Sequence, residues 1–359
     1  MQAAVKKIIK KVVGKKSVGA FQRAVGALRK VFMRLALANT FFLKVFFIFS
    51  SSFNREAASV IAGRLDHDNN REGEWRVNYH LRRSIHRLEK GLSMRPRKSV
   101  FAEDIIADTV DSFVSTLRNG GELDEITWAH DVLEEYFSVC DGTKIVRSAR
   151  AAFEEALREL PLKRRAKEKL IPFMRKNSVQ QPVTYEGMLA LSKRRRSVRW
   201  YRPEPVPREL IDLAVEIAAL SPSACNRQPF YFRVFDDPEL LKKTRHLPMG
   251  IKGFAENIPV MVAVVGQLRA YPEPRDRHVI YVDGGLAAMS FMYALETLGL
   301  GSCPVNWPDI EERERQAEDI LGLNKDERIV MWISLGYPCE EGVIPRSDKL
   351  SINTIRIYN

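Results

Sequence analysis

Between Arg195 and Pro229 the chain gathers groups suited to a flat ligand that carries an anionic tail. Arg195-Arg196-Ser197-Val198-Arg199 sets three fixed guanidinium charges and a hydroxyl within one short stretch. Guanidinium donors are planar, permanently charged and bidentate, which fits phosphate oxygens and neighbouring hydroxyls. Further on comes Ser221-Pro222-Ser223-Ala224-Cys225-Asn226-Arg227-Gln228-Pro229. Its small residues and prolines form a turn that lets backbone approach a ring, and the amides of Asn226 and Gln228 each offer a donor and an acceptor to a heterocycle edge. Either segment alone would pass as a basic surface strip or an ordinary loop; their order and separation give them weight together.

The pair resembles the nitroreductase family of flavin mononucleotide (FMN) oxidoreductases, whose members carry an Arg-x-Ser-x-Arg/Lys element followed by Pro-Ser-x-x-Asn-x-Gln-Pro. Further resemblances follow in order. Asp283-Gly284-Gly285 begins an apolar helix, Leu298 to Trp307 looks like the family's loop beside the flavin ring, and Leu335-Gly336-Tyr337-Pro338 looks like its last core strand. Pro345-Arg346-Ser347-Asp348-Lys349 resembles the basic tail that closes on the phosphate. The resemblance spans residues 184–359 and implies an α+β fold with a mixed sheet flanked by helices, preceded by a mostly helical region.

What the resemblance implies for the site is specific. Arg195, Ser197 and Arg199 would contact phosphate, ribityl oxygens or ring edge, with Arg346 and Lys349 adding charge; Arg196 belongs to the same cluster or faces solvent. Pro222, Ser223, Asn226 and Gln228 would approach the flavin from the second subunit of a homodimer. The backbone of Pro304, Val305, Asn306 and Trp307 would lie near the flavin N5. Family members often carry Gly or Glu where this chain has Asn306-Trp307, so the Trp307 ring either fills substrate space or belongs to the core. No side chain stands out as a general acid, and Cys225 and Cys303 read as small buried thiols.

The elements needed to position these groups are legible. A helix starting at Pro207 and facing inward through Leu210, Leu213, Ala214, Ile217 and Ala218 would deliver the 221–229 turn. Strands are expected at Phe230 to Phe235, Pro259 to Val265 and Arg328 to Leu335, and helices at Tyr281 to Leu298 and Ile310 to Leu321. No Gly-x-Gly-x-x-Gly follows a strand, so a dinucleotide-binding domain of that type is not indicated.

At 359 residues the chain has room for more than one domain. Three regions are expected: a basic arm over 1–55, a helical region over 56–175, and the flavin module over 184–359. The four cysteines have neither paired nor metal-ligand spacing, which speaks against a disulfide framework or a zinc site and for a reducing, cytoplasmic setting. In the middle region Leu81, Ile85, Leu88 and Leu92 share a helix face that Gly91 would end, and Ile105, Ile106, Val110 and Phe113 mark another helix. His86 and Glu89, three apart on the first, form a surface pair without a third metal ligand; the string around them resembles an extension found in some nitroreductase-like proteins. Lys163 to Lys169 reads as a solvent-facing charge run, and Pro172 and Pro182 bracket a linker.

No acidic residue precedes Glu56, and the twelve Lys and Arg there match the net charge of +12, so the remaining 304 residues are neutral. Val5, Ile8, Ile9, Val12 and Val13 alternate with lysines as in a basic amphipathic helix, which favours an anionic membrane surface over nucleic acid as partner. An organelle-targeting segment has the same composition. Over Leu35 to Phe53 the apolar residues favour membrane insertion by roughly 3 to 7 kcal/mol while Lys44 opposes by roughly 2.5 to 3.5 kcal/mol and Asn39 and the serines add to it. The balance favours an interfacial or protein-packed helix over a span.

Two functions follow. The first is an FMN-dependent oxidoreductase that moves hydride from NAD(P)H to an organic acceptor such as a nitroaromatic or quinone. The second is a membrane-associated scaffold of the same fold with little or no redox activity.

Overall fold

The computed structural model describes residues 27, 30–50, 53–69, 77–140, 142–162 and 168–359. The amphipathic stretch at Val5–Val13 and most of the Lys163 to Lys169 run lie outside them. By contact the chain divides into Met1–Ala58 and Ser59–Asn359, so the helical region and the C-terminal module over 184–359 fall in one unit.

In the first unit, residues 30–38 are helical and α1 (Thr40–Phe49) follows after Asn39. α2 (Asn54–Asn69) leads into the second unit. There α3 (Tyr79–Leu92), α4 (Ile106–Arg118), α5 (Leu123–Val139) and α6 (Lys144–Glu159) make a bundle. Leu81, Ile85 and Leu88 of α3 bury completely against Val110, Phe113, Val132, Leu133 and Tyr136. Gly91 lies inside α3 rather than ending it, because a Cβ there would fall 2.2 Å from the Phe101 ring. Close packing, not capping, accounts for this glycine. Among the described residues of 160–184 the one helical turn is a 3₁₀ turn at Arg175–Asn177, as the bracketing prolines suggest.

The C-terminal module begins with α7 (Tyr185–Arg194) and α8 (Arg208–Ala219), followed by β1 (Phe230–Phe235), α9 (Pro238–Thr244), β2 (Val260–Gln267), α10 (Val279–Thr297), β3 (Gly301–Val305), α11 (Glu311–Leu321), β4 (Glu327–Gly336) and α12 (Ile352–Ile355). The sheet order is β1-β2-β4-β3 and every strand pair is antiparallel. The α+β class stands, but the expected mixed sheet reduces to a parallel contact at one isolated bridge, Ser197 to Ser302. Leu298 to Trp307, expected as a loop, contains β3; Pro304 is tolerated there because β3 is an edge strand.

Both faces of β2 are buried, which explains its unbroken apolar run. One face packs with Trp307, Ala317 and Trp332, the other with α8 and α10 through Ile211, Ala214, Ala287, Phe291 and Leu295. Of the α8 residues expected inside, Ala214 and Ala218 are buried, whereas Leu213 and Ile217 are about half exposed, each at 48 %. α10 is long and apolar enough to cross a membrane by composition, yet its inner residues are spent on the sheet. Asp283-Gly284-Gly285 sits within α10, not at its start, and the close approach of Gly284 to Val330 and of Gly266 to Ile280 brings helix and sheet together.

The helical region and the C-terminal module meet at polar contacts: the Tyr79 hydroxyl of α3 donates to Gln267 Oε1, and His67 Nδ1 of α2 lies 2.8 Å from the Arg269 carbonyl oxygen. Within the module Arg269 holds Asp326 through Nε and Nη2 at 2.7 and 2.5 Å. Burial pushes the His67 imidazole below its usual range, which keeps it neutral. Gly63 faces the Leu268 backbone so closely that an added Cβ would sit 2.7 Å from its carbonyl carbon. We expect Gly63→Ala to destabilise the protein by about 1–3 kcal/mol because backbone cannot rotate away. Gly187→Ala, on the exposed side of α7 where only ordinary contacts await, should be neutral or stabilising by about 0.5–1 kcal/mol. Thermal unfolding of both variants beside the parent checks this contrast; equal melting temperatures for the two would refute it.

Candidate functional site

The first basic segment leaves α7 at Arg195 and runs along the free edge of β3. Val198 N donates to Ser302 O at 3.0 Å, and Tyr201 OH reaches Val198 O at 2.7 Å and Ser334 Oγ at 2.8 Å. These contacts fix the backbone and leave Arg195, Arg196, Ser197 and Arg199 half-buried. Among the described residues none of the three arginines pairs with a carboxylate; Arg199 donates to Ser197 O at 3.3 Å and lies over the Phe254 ring. Half-buried guanidinium groups without counter-ions make a site ready for an anion. Ser302 Oγ, buried on the adjoining strand, has no hydrogen-bond partner among the described residues.

Cys303 projects into the neighbouring core. Burial pushes its thiol up, while Arg199, Ser197 and Arg195 pull the other way. The neutral thiol wins, consistent with a packing role, and all four cysteines are free. Trp307 is a core residue: its Nε1 donates to Glu314 Oε1 at 2.5 Å and its ring meets Trp332 edge-on at 6.0 Å. The ring therefore does not fill substrate space, and what this residue offers a ligand is its backbone. Pro304 is half-buried, Val305 buried and Asn306 exposed. Arg346 and Lys349 are exposed on the tail, where Arg346 pairs with Asp348 at 2.7 Å.

The polar turn lies elsewhere. It enters β1, whose Phe230 aligns with Gly266 and, through β2, with Arg328 at the start of β4; Ser302 aligns with Leu335 near the end of β4. Strand spacing and rise place the two clusters at diagonal corners of the sheet, about 30 Å apart. One chain does not bring Ser197 and Asn226 together.

The turn is conformationally costly. Cys225, Asn226 and Gln228 have φ of 53°, 49° and 51°, left-handed values that cost roughly 1–2 kcal/mol for each L-residue. Several bonds hold it. Gln228 N donates to Ser223 Oγ at 2.9 Å, Gln228 Nε2 to Ala219 O at 2.6 Å, and Ala224 N to the Asp283 carboxylate at 3.3 Å. Tyr271 OH also donates to Asp283, and Arg227 lies over the Tyr271 ring at 4.7 Å. Burial raises the Asp283 carboxyl, partly offset by these donors.

The bundle supplies a further hold. Arg82 of α3 donates from Nε to Asn226 O at 2.9 Å and from Nη2 to Gln228 Oε1 at 2.8 Å. Its guanidinium rests over Trp128 of α5 at 5.2 Å and pairs with Glu125 Oε1 at 3.4 Å. Trp128 Nε1 in turn donates to Glu89 Oε1 at 3.0 Å, with His86 Nδ1 lying 3.3 Å from Glu89 Oε2. The His86–Glu89 pair is thus a strut behind Arg82. His130, Asp131 and Glu134 also cluster with metal-ligand spacing, but Asp131 accepts from Leu170 N and Glu134 pairs with Lys169. Arg82 was not among the residues expected at the site; the signal available was a basic stripe, Arg82, Arg83, His86 and Lys90, on the side of α3 opposite its leucines.

Comparison with known proteins agrees with the motif order. The Nitroreductase family model matches residues 192–250 and 244–337. The chain belongs to the nitroreductase family. A putative NADH dehydrogenase/NAD(P)H nitroreductase from Archaeoglobus fulgidus is 30 % identical over 156 residues, covering 44 % of this chain and 88 % of that one. The NADH dehydrogenase of Thermus thermophilus is 30 % identical over 180 residues, covering 42 % and 85 %. Among solved structures, an FMN-dependent nitroreductase from Clostridium difficile aligns with TM-score 0.42 and 24 % identity over 48 % of this chain and 99 % of its own. Like its family, the chain is an oxidoreductase; the bundle and everything before it lie outside the matched residues.

Burial pushes the Glu125 carboxyl up, against the pull of Arg82 and the Asn78 amide. A raised carboxyl favours the fold below its unfolded value and loses that contribution as pH rises through the folded value. Arg82→Met removes the cation that offsets this loss. It should cost about 3 kcal/mol at pH 8 and less at pH 5, because a raised carboxyl takes up its proton as the pH falls. Denaturant titrations at the two pH values check the sign; a cost that grows towards acid would contradict the assignment.

Proposed function

We propose that the chain is an FMN-dependent oxidoreductase that takes hydride from NADH or NADPH and passes electrons to an organic acceptor of the nitroaromatic or quinone class. The observation that carries this reading is the set of half-buried arginines around Ser197 without carboxylate partners, placed on a β3 edge whose Ser302 hydroxyl is also unclaimed. Arg195 and Arg199 would hold the phosphate, Ser197 a ribityl or ring oxygen, and Arg346 and Lys349 would add charge from the tail. Backbone donors between Pro304 and Trp307 would face the ring and stabilise negative charge there without proton transfer. FMN, when bound, supplies the hydride chemistry itself, so the protein needs no acid or base of its own.

The reading includes a homodimer. The turn at Pro222 to Gln228 lies about 30 Å from the arginines within one chain, so it would serve the site of a second copy. Two features support pairing. Leu213, Ile217 and Leu220 of α8, Val282 and Leu286 of α10, and Met188 of α7 expose apolar surface on helices that contact one another. The tail exposes Ile352, Ile355, Ile357 and Tyr358, which a lone chain leaves in water.

The purified protein should be yellow, release FMN on denaturation, and bleach anaerobically when given NADH or NADPH. Replacing both Arg195 and Arg199 by Ala should weaken FMN binding about a hundredfold, as two charge-assisted contacts are lost, with the melting temperature of the apoprotein unchanged. A colourless protein that takes up no FMN would defeat the proposal and favour a scaffold role.

A further inference from the structure

The first unit contains a feature that the redox chemistry does not use. Asn39 is extended, with φ −149° and ψ 129°, between two helical arms, residues 30–38 and α1. Its Oδ1 accepts from Phe41 N at 2.8 Å, its carbonyl from Leu43 N at 3.0 Å, and its N–H donates to Leu35 O at 3.1 Å, so the amide oxygen and the backbone groups of Asn39 are satisfied internally. The chain folds back there. Phe32 and Phe46, seven residues on either side of Asn39, bring their ring centroids to 6.2 Å. In an unbroken helix residues that far apart in sequence would be about 21 Å apart. Ala36, 5 % exposed, is small enough to let the arms close.

The outside of this hairpin is apolar. Leu37 is 86 % exposed, Ile48 76 % and Phe41 67 %, and Val31, Leu35 and Phe47 are also exposed. That is the wrong surface for water and the right one for hydrocarbon. Each arm is about 14 Å long, roughly half of a bilayer's apolar thickness. The ionisable residues on the described arms, Lys30, Arg34 and Lys44, are all cationic. Arg34 and Lys44 stand five residues from Asn39 on opposite arms, at matching heights from which long side chains reach lipid phosphates. A protein partner would not require this belt of like charge, nor would a second copy, whose cations would meet its own.

We propose that residues 30–49 form a helical hairpin that inserts, Asn39 foremost, into one leaflet of an anionic phospholipid bilayer without crossing it. The apolar surface supplies insertion and Arg34 and Lys44 anchor at the phosphates, while the basic residues before them add attraction to the surface.

The test uses the full chain and floats it with vesicles of phosphatidylcholine alone or mixed with phosphatidylglycerol. The parent should float with the mixed vesicles and stay partly bound at about 0.5 M salt, where surface charge is screened. Leu37→Glu with Phe41→Glu should cut the bound fraction at least tenfold, roughly the effect of placing carboxylates in hydrocarbon, without changing the thermal transition of the second unit. Independently, Phe41→Trp emission should shift to the blue on vesicle addition and be quenched by lipids brominated in the acyl chain. The proposal is overturned if the parent does not float, or if the double Glu variant binds as well as the parent, which would leave the basic arm as the whole attraction. It is equally overturned if the Trp is indifferent to brominated lipid, or if the Glu variant merely dissociates an oligomer that forms without vesicles.

Discussion

Arg82 joins parts of the protein that sequence keeps far apart. Its guanidinium takes the backbone oxygen of Asn226 and the side chain of Gln228 on one side, and is itself held by Glu125 and the Trp128 ring on the other. The turn it holds has three left-handed residues in four positions, a conformation that L-residues adopt only when their surroundings insist. The insistence comes from two directions. Asp283 and Tyr271 fix the turn from the C-terminal module, and Arg82 fixes it from the bundle. A helical extension that packs on such a turn contributes order to a segment that local sequence would not keep in this shape.

That constraint also accounts for the two faces of α3. Leu81, Ile85 and Leu88 are buried in the bundle, which orients the opposite, basic side towards the turn. Behind Arg82, Glu89 receives the Trp128 indole and lies beside His86, so the rotamers of the stacked ring and the guanidinium are set by a continuous polar chain. The Tyr79 hydroxyl on Gln267 and the His67 contact with the Arg269 carbonyl tie the helical region to the sheet side, where the Arg269–Asp326 pair fixes Arg269 from within the C-terminal module.

Much of this was legible from residues alone, and the gaps have physical causes. β1 was readable to its ends because Phe230 to Phe235 is bounded by Pro229 and Asp236-Asp237. The arginine cluster was readable because charge density over five residues is a local property. Trp307 was undecided because its partners, Glu314 and Trp332, are brought to it by tertiary packing that its own neighbours do not announce. Leu213 and Ile217 were misplaced inward for the opposite reason: helical periodicity marks an apolar face but does not say whether the same chain covers it. Arg82 is not legible as a site residue because a basic stripe on an amphipathic helix reads as a solvated face and does not name a partner more than a hundred residues away.

The helices that carry surplus apolar surface are therefore the informative ones. α10 is apolar on nearly all sides; its inner side is used by the sheet and its outer residues Val282 and Leu286 remain uncovered. Surface of that kind is not free in water, and its position on helices that contact α8 gives it continuity with Leu213, Ile217 and Leu220. Under the proposed reading, in which the arginine cluster and the polar-turn cluster at diagonal corners of one sheet both serve a flavin, pairing with a second copy would complete a site as well as hide hydrophobic area. The separation of the clusters and the surplus of apolar surface are two consequences of one architecture.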